Sequence, residues 1–334
     1  MSARENILLM RLKSMGDVVF TLPAIHMVRE NFPDAKISFL TSQENVPLIR
    51  GFREVDETIA LNRSNFKSGN PKRILKEAFS LIRRLRGGKF SLVVDFQGFG
   101  ETAWFTRLSG APRRLGSVYG PGRRWAYTCG AKHDNRIHFV DGNLSLLQQG
   151  GLRPGEIKND FLLPEDASAE ARRLFLSAGL DPAKPTLFIQ PLTSSPDKNW
   201  PLDRYLAVAR HWRAQGFQIL FGGGPAESAA LEPVRQAGFA VSAGAPLLVT
   251  AGVAKLSTLV LGGDTGILHL AVAMGKRVVM LMKSTAPGRP FPFRHQDWAI
   301  APPSDRILSH IATGKVLQAC ERALAELNLP GSAA

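Results

Sequence analysis

The stretch ILLMRLKSMGDVVFTLPAI, residues 7–25, decides the fold of the first half of the chain. Its largely apolar segment 7–12 predicts a buried strand, and apolar residues recur at helical spacing over 18–31. The turn between them carries Asp17. In open α/β sheets, ligands bind beyond the carboxyl ends of strands, where such turns lie. Asp17 is therefore a candidate functional residue, and capping of its own helix is the alternative.

The same alternation of strand and helix continues along the chain. In the first half the pattern predicts further strands at 36–41 and 90–96 and a basic helix at 71–85. A segment rich in Pro, Gly and acidic residues, 152–169, reads as a linker. The pattern then restarts, with predicted strands at 186–191, 218–221, 259–262 and 278–282 and helices at 202–215 and 311–327. This predicts an α/β protein of two Rossmann-like, doubly wound domains facing each other across a cleft.

Length and composition agree with two globular domains. The chain has 334 residues, of which 44% are hydrophobic and 21% charged, an ordinary globular composition. Its two cysteines, Cys129 and Cys320, match no metal or redox spacing, which favours a reduced, cytoplasmic protein. We see no secretion signal and no apolar run of about 18 residues, so we expect any membrane contact to be peripheral.

The net charge of +14 indicates an acidic partner. Two basic clusters carry much of it in the first half; they comprise Arg63, Lys67, Lys72, Arg73, Lys76, Arg83, Arg84, Arg86 and Lys89, then Arg107, Arg113, Arg114, Arg123, Arg124, Lys132 and Arg136. Solvated helix faces are the plain interpretation of such runs. Nucleic acid is disfavoured, because the clusters lack the interleaved aromatic residues that stack on bases. An anionic membrane surface or a phosphorylated substrate fits the charge better.

Three loops of the second half predict a nucleotide site. GGDTGILHL, residues 262–270, runs from a strand into a helix, and the exposed amides at 265–267 would bind a phosphate. QPLTSSPDKNWPLDRY, residues 190–205, offers the hydroxyls of Thr193, Ser194 and Ser195, and Lys198, to a diphosphate. FGGGPAES, residues 221–228, brings Glu227, which would accept hydrogen bonds from a ribose diol.

Each of these loops also has a plain structural explanation. Asp264 or Thr265 would cap the following helix, Lys198 would be an ordinary surface lysine, and Glu227 would complement a helix N-terminus. Two other nucleotide chemistries are disfavoured. GGGPAE fails the G-x-G-x-x-G pattern of dinucleotide-binding proteins, and GKRV, residues 275–278, lacks the spacing and hydroxyl of a P-loop.

With these motifs in order, the chain resembles glycosyltransferase family 9, the bacterial lipopolysaccharide heptosyltransferases. The motifs that carry the resemblance are RLKSMGDVVFTLPAI, LVVDFQG, SSPDKNWP, GGGPAE and GGDTGILHLAVAMG. The resemblance implies a GT-B fold with an acceptor-binding domain at 1–165 and a donor-binding domain at 166–310. It also implies that a C-terminal helix, 311–334, packs back on the N-terminal domain.

The resemblance further implies transfer of a heptose from ADP-heptose to the inner core of lipopolysaccharide, with inversion at the anomeric carbon and Asp17 as general base. No metal or other cofactor is expected, and the enzyme would act at the inner face of the cytoplasmic membrane. The implied donor-binding residues are Thr193, Ser194, Lys198, Glu227, Asp264, Thr265, Gly266, Ile267 and His269. The predicted acceptor-side residues are Lys13, Ser14, Gly16, Asp95 and Gln97. His269 is also compatible with a buried core role, and Asp95 and Gln97 with capping a strand.

Two departures from the family pattern fall on loops of the expected cleft. Lys13 stands where a small residue is usual, and Lys283-Ser284 where Gly-Pro is common. Both bear on the choice of acceptor. Two alternatives remain open from the sequence: a family member that transfers another sugar, such as an N-acetylhexosamine, from a different nucleotide, and a non-catalytic protein that binds an anionic glycolipid.

Overall fold

The computed structural model describes residues 4–63, 71–303 and 305–327. It divides into two compact units, Met1–Asp160 and Phe161–Ala334. The sequence predicted the boundary after residue 165. The structure sets it earlier because the Phe161 amide donates to the Ala273 carbonyl at 2.9 Å and Leu163 is buried in the second unit.

The first unit is a parallel sheet with helices on its connections. Its elements are β1 Asn6–Met10, α1 Met15–Val19, α2 Leu22–Asn31, β2 Lys36–Ser42, α3 Val46–Ile49, β3 Glu57–Leu61, α4 Pro71–Gly87, β4 Leu92–Asp95, α5 Gly100–Leu108, β5 Arg113–Val118, β6 Cys129–Lys132 and α6 Phe139–Gln149. The strand order is β3-β2-β1-β4-β5-β6. This is the dinucleotide-fold order, in which the sequence direction reverses between β1 and β4.

The centre of this sheet is apolar on both faces. β1 pairs with β2 and with β4 in parallel register, and Met10 lies opposite Asp95. Strands covered on both sides need continuous apolar runs, and the residues of β1 from Ile7 to Met10 are fully buried. The register brings the loops that follow β1 and β4 to the same edge of the sheet, at the switch point.

The second unit repeats the architecture. Its elements are α7 Glu165–Ser177, β7 Thr186–Gln190, α8 Leu202–Ala214, β8 Gln218–Gly223, α9 Glu232–Gln236, β9 Ala240–Ala243, α10 Leu247–Leu256, β10 Leu259–Gly263, α11 Gly266–Ala273, β11 Val278–Leu281, β12 Ala299–Ile300 and α12 Thr313–Leu327. The order β12-β11-β10-β7-β8-β9 has the same topology as the first sheet. The loops after β11, β10, β7 and β8 therefore follow four adjacent strands.

The helix predicted at 18–31 is two helices in the structure. α1 ends at Val19 and α2 begins at Leu22. The Thr21 hydroxyl donates to the Val18 carbonyl at 2.6 Å, and Pro23 has no N–H with which to continue the first helix. The break leaves α1 as a short helix that carries Asp17 in its first turn.

The C-terminal helix belongs to the second unit. The buried face of α12, from Val316 to Ala323, lies in the core of the second unit, against α8, β10 and β11. An ion pair between Arg277 and Glu326, with 2.8 Å between Nη2 and Oε2, joins the helix to the same unit. The apolar residues of α12 are buried in this core because the helix covers one face of the second sheet. Residues 328–334 lie outside the described part of the chain.

Candidate active site

Asp17 is held through one of its two carboxylate oxygens. Oδ2 accepts hydrogen bonds from the Ser14 amide at 2.8 Å and the Ser14 hydroxyl at 3.1 Å. Arg11 Nη2 forms an ion pair with the same oxygen at 2.9 Å. For Oδ1, the described residues provide no hydrogen-bond donor. The carboxylate does cap its own turn, and 24% of the side chain still reaches solvent, so a second oxygen remains open to a ligand.

Arg11 is the residue that fixes this arrangement. Its side chain is 7% exposed, and the guanidinium donates to the carbonyls of Phe96 at 2.5 Å and Lys13 at 3.0 Å, besides pairing with Asp17. Three partners use most of the planar fork of donors that distinguishes arginine from lysine. The sequence analysis did not single out Arg11. The feature that could have indicated it is a cationic residue directly after a strand that is fully buried.

Asp95 and Gln97 shape the neighbouring loop. Asp95 is fully buried and accepts hydrogen bonds from the amides of Gln97 and Gly98, each at 2.9 Å, and from the Tyr127 hydroxyl at 2.8 Å. Gln97 Oε1 accepts from the amides of Leu12 and Lys13. Burial raises the pKa of Asp95 despite these donors. Both residues were predicted on the acceptor side; in the structure both are buried and hold loops, which corresponds to the capping alternative.

The other acceptor-side predictions lie on the loop of Asp17. Ser14 is exposed and is the N-cap of α1, whereas Gly16 is buried within that helix. The Lys13 ammonium lies 5.5 Å from the centre of the Phe99 ring. Lys13 and Ser14 are thus the members of this group that a ligand can reach beside Asp17.

A cavity of about 590 Å³ opens beside this loop within the first unit. Arg11 reaches it from one side, and Lys132, at the end of β6, lines it together with His133 and Arg136 from the loop that follows. Burial and the charge of Arg11 lower the pKa of His133, so that its imidazole is neutral at pH 7. Arg136 pairs with Asp134, which lines the same cavity, with 2.9 Å between Nη2 and Oδ2. The cavity therefore offers a neutral ring beside cations, two of which, Arg11 and Arg136, already have carboxylate partners. Sequence analysis missed it as a site, although Lys132 and Arg136 belong to the second basic cluster.

In the second unit, Asp264 joins two predicted donor residues. Its Oδ2 pairs with Lys198 Nζ at 3.1 Å, and its Oδ1 lies 3.1 Å from His269 Nε2. Burial alone would raise the pKa of Asp264, but the hydrogen bonds and charges of His269 and Lys198 outweigh it and lower the pKa. Asp264 is therefore ionised and fixes Lys198, which remains partly exposed. The His269 side chain is buried beside Asp264.

The amino end of α11 lies at the same place. Thr265 is its N-cap, and the amides of Leu268 and His269 already donate to the Thr265 carbonyl. The first amides of a helix have no partner within it, so those of Gly266 and Ile267 are available to an anion beside the Lys198 ammonium. The Thr265 hydroxyl oxygen is buried and has no hydrogen-bond partner among the described residues.

The loop after β7 is held by its own side chains. The Thr193 amide donates to Asn199 Oδ1 at 2.8 Å, and the Thr193 hydroxyl donates to the Ser195 carbonyl at 2.8 Å. Ser194 is exposed. Thr193 thus shapes the loop, and Ser194 is the hydroxyl that remains open to a ligand. At Gly263 an added Cβ would lie 2.6 Å from Thr193 Cγ2, which shows how closely this loop packs on β10.

The two carboxylate oxygens of Glu227 have different surroundings. Its Oε2 accepts a hydrogen bond from the Gly224 amide at 2.7 Å, which closes the turn after β8. No donor to Oε1 is found in the described part of the chain, so one oxygen stays available. The capping alternative and the predicted ribose contact therefore use different oxygens of one carboxylate.

Lys283 adds a connection that the sequence did not indicate. Its ammonium pairs with Asp197, whose other oxygen accepts a hydrogen bond from the Ser195 hydroxyl. These two contacts lower the pKa of Asp197 to about 2. The loops after β11 and β7 are tied together by this ion pair. Lys283 is one of the departures noted in the sequence, and its contact is with the loop that carries Lys198.

Among residues 4–63, 71–303 and 305–327, no group of three His, Cys, Asp or Glu side chains is placed to hold a metal ion. Within the same ranges, no helix is both long and apolar enough to cross a bilayer.

Comparison with solved structures defines the class of protein. A family 9 glycosyl transferase from Veillonella parvula superposes with a TM-score of 0.84 at 20% identity, covering 98% of this chain and 99% of that one. The Escherichia coli ADP-heptose lipopolysaccharide heptosyltransferase II gives 0.77 at 19% identity, over 97% and 100% of the two chains. Two consecutive Rossmann-like units of this kind make up the GT-B fold.

The sequence comparisons then assign the family. The family model described as glycosyltransferase family 9 (heptosyltransferase) matches residues 78–305, and the chain belongs to this family. A curated relative, lipopolysaccharide heptosyltransferase 3 of Escherichia coli K12, is 27% identical over 63% of this chain. The match spans 60% of that relative's length.

Proposed function

We propose that this protein transfers a heptose from ADP-heptose to the inner core of lipopolysaccharide, with inversion at the anomeric carbon. The observation that carries the proposal is the half-open carboxylate of Asp17, with one oxygen held by three donors and the other without one. A general base must keep its position and offer a free lone pair to the proton that it removes. Asp17 meets both requirements.

The chemistry is a single displacement. Asp17 Oδ1 takes the proton of the acceptor hydroxyl while the hydroxyl oxygen forms its bond to the anomeric carbon. The bond from that carbon to the diphosphate oxygen breaks, and ADP leaves with the electron pair. Lys198 and the amides of Gly266 and Ile267 bind the negative charge that develops on the leaving group. The reaction requires the acceptor, held by the first unit, to reach the donor, held by the second.

The donor and acceptor follow from the character of each site. Glu227 Oε1 would accept a ribose hydroxyl, and Ser194 would donate to the diphosphate. In the first unit, Arg11, Lys132 and Arg136 suit an acceptor that carries carboxylate or phosphate groups. Related solved structures include the Escherichia coli heptosyltransferase WaaC with ADP and with ADP-2-deoxy-2-fluoro heptose, which supports the choice of nucleotide.

Turnover and donor binding test the proposal separately. With ADP-heptose and a core-truncated lipopolysaccharide fragment, Asp17→Asn should lower kcat by about 10²–10⁴ and leave ADP affinity unchanged. Lys198→Met should instead weaken ADP binding. Asp203→Asn, which alters a first-turn aspartate of α8, is the matched control and should behave as the wild type.

Two results would contradict the proposal. Wild-type turnover by Asp17→Asn would show that Asp17 is not the general base. If the unaltered chain ignored ADP and ADP-heptose but transferred sugar from UDP-N-acetylglucosamine, the alternative donor would replace the proposed one. Saturable glycolipid binding with no transfer from either donor would support the non-catalytic alternative.

A further inference from the structure

Helix α4 of the first unit carries two apolar stripes on different faces. Leu81 and Leu85 belong to the stripe that packs into the core. Leu75 and Phe79, four residues apart, form the second stripe and are 69% and 70% exposed. Residues spaced by four lie on one helix face, so these two side chains form a continuous apolar strip in solvent. Core packing does not account for them.

The exposed strip is bordered by positive charge. The sequence of α4, PKRILKEAFSLIRRLRG, holds six Lys or Arg residues and a single Glu. Lys76 and Arg83 are exposed, and neither has a carboxylate at ion-pair distance among the described residues. Arg84, by contrast, pairs with Glu57 at 2.9 Å. We call Leu75, Lys76, Phe79 and Arg83 the α4 face; Lys67, in the segment before the helix, lies outside the described residues.

The helix that packs beside α4 has a similar surface. On α5, the half-exposed Trp104 contacts Trp125, with 4.5 Å between ring centroids. Arg107 and Arg124 are exposed on the same two segments. Tryptophan and arginine both place an apolar body and a polar end at a membrane–water boundary.

We propose that the α4 face docks on the surface of an anionic lipid bilayer, with Leu75 and Phe79 inserted among the acyl-chain ends and Lys76 and Arg83 at the headgroups. Amphipathic helices with apolar residues beside basic ones bind membranes in this way. The positive charge of the α4 face complements an anionic lipid surface and would gain nothing from a neutral protein surface. The choice of a membrane agrees with the proposed function, whose acceptor is a membrane glycolipid, but docking itself does not depend on catalysis.

The first experiment measures binding of the full chain to vesicles by co-sedimentation. Vesicles that contain phosphatidylglycerol should bind the wild type more tightly than pure phosphatidylcholine vesicles do, and added salt should weaken the binding. Leu75→Ser/Phe79→Ser should lower the partition coefficient at least about tenfold. Lys76→Glu/Arg83→Glu should lower it about fivefold or more for each residue changed. Leu176→Ser, at an exposed leucine of the second unit, is the control and should have no effect.

The second experiment separates docking from catalysis. The Leu75→Ser/Phe79→Ser variant should keep wild-type turnover with a soluble acceptor fragment and lose turnover with acceptor embedded in vesicles. The docking proposal would be overturned if all variants bound anionic vesicles as the wild type does. It would also be overturned if the double serine variant converted a dimer in solution into a monomer while vesicle binding stayed the same, because the face would then join two copies. Loss of activity in Asp17→Asn is independent of every one of these outcomes.

Discussion

Arg11 and Asp17 form an ion pair in which the arginine sets the position of the carboxylate that we propose as the general base. Arg11 reaches two carbonyls and Asp17 Oδ2 at once, so the orientation of the carboxylate depends on a guanidinium that is itself buried. The loop sequence alone predicts Asp17 as a candidate, since the residue stands on a strand-to-helix turn. It does not predict Arg11, because only the fold shows that the side chain bends back to that turn.

The first prediction concerns Arg11. Arg11→Met should lower kcat at saturating acceptor by about 10–100-fold, because a displaced base loses its alignment with the acceptor hydroxyl. The KM for ADP-heptose should not change, since the donor contacts lie in the second unit. Arg11→Lys should recover part of kcat, because one ammonium cannot serve all three partners.

Steady-state kinetics and thermal unfolding on the same preparations check this prediction. A lower kcat at an unchanged Tm identifies a positioning role. A kcat equal to that of the wild type in Arg11→Met would show that Ser14 alone is sufficient to hold the carboxylate.

At the scale of elements, the donor loops depend on how closely β10 and β7 approach each other. At Gly262, an added Cβ would lie 2.4 Å from the Gln190 carbonyl oxygen of the neighbouring strand. That contact is with backbone, which cannot rotate away as a side chain can. The glycine is thus required by the spacing of the two strands whose ends carry Lys198 and Asp264.

The second prediction follows from this contact. Gly262→Ala should lower the free energy of unfolding by about 1–3 kcal/mol, since the strands must separate to admit the methyl group. Gly314→Ala, in α12, has no heavy atom within 4 Å of the added Cβ and should be neutral or raise stability by up to about 1 kcal/mol. Urea unfolding of both variants measures the difference; equal effects would show that the strand spacing is not limiting.

Sequence patterns predicted the strands that are apolar runs and missed strands such as β5 and β12. β1, β4, β7, β10 and β11 are apolar runs because both faces of a parallel sheet are covered. β5 has the sequence RRLGSV, whose arginines and glycine hide the strand pattern, and β12 has only two residues. Such strands form because a neighbouring strand offers its hydrogen bonds, a tertiary effect that local propensity does not contain.

More of the residues proposed for the donor could be chosen from the sequence than of those proposed for the acceptor, for a related reason. The residues proposed for the donor lie on short glycine-containing turns directly after strands, and position along the sequence then gives position in space. The cavity of the first unit combines Arg11 with residues from the end of β6 and the loop after it, more than a hundred positions later. No local pattern connects them, so only the charge cluster at Lys132 and Arg136 gave a signal.

At the scale of the whole molecule, each unit has its own sheet and its own core. The predicted donor residues, from Thr193 to His269, all lie in the second unit, and Asp17 lies in the first. A ligand that contacts one unit should therefore stabilise that unit first. Family 9 membership and the GT-B fold agree with this division of labour.

The third prediction uses ADP as the probe. ADP should slow amide hydrogen exchange at 193–198, 224–227 and 264–267 and leave 11–17 unchanged. At a ligand concentration of 100 Kd, binding should stabilise the second unit by about 2.7 kcal/mol. Lys198→Met should show no protection at the same ADP concentration. Protection confined to the first unit would reverse the assignment of donor and acceptor sites.

The ion pair of Lys198 with Asp264 has a consequence for selectivity. Because the ammonium already has a carboxylate partner at 3.1 Å, an arriving anion must take the place of an internal one. Small ions such as inorganic phosphate or sulfate gain little from that exchange. A nucleotide bound as we propose would gain more, because its ribose and second phosphoryl group would add contacts elsewhere on the same edge of the sheet. We therefore expect the Lys198–Asp264 ion pair to discriminate against simple anions, since Asp264 competes with them for the ammonium.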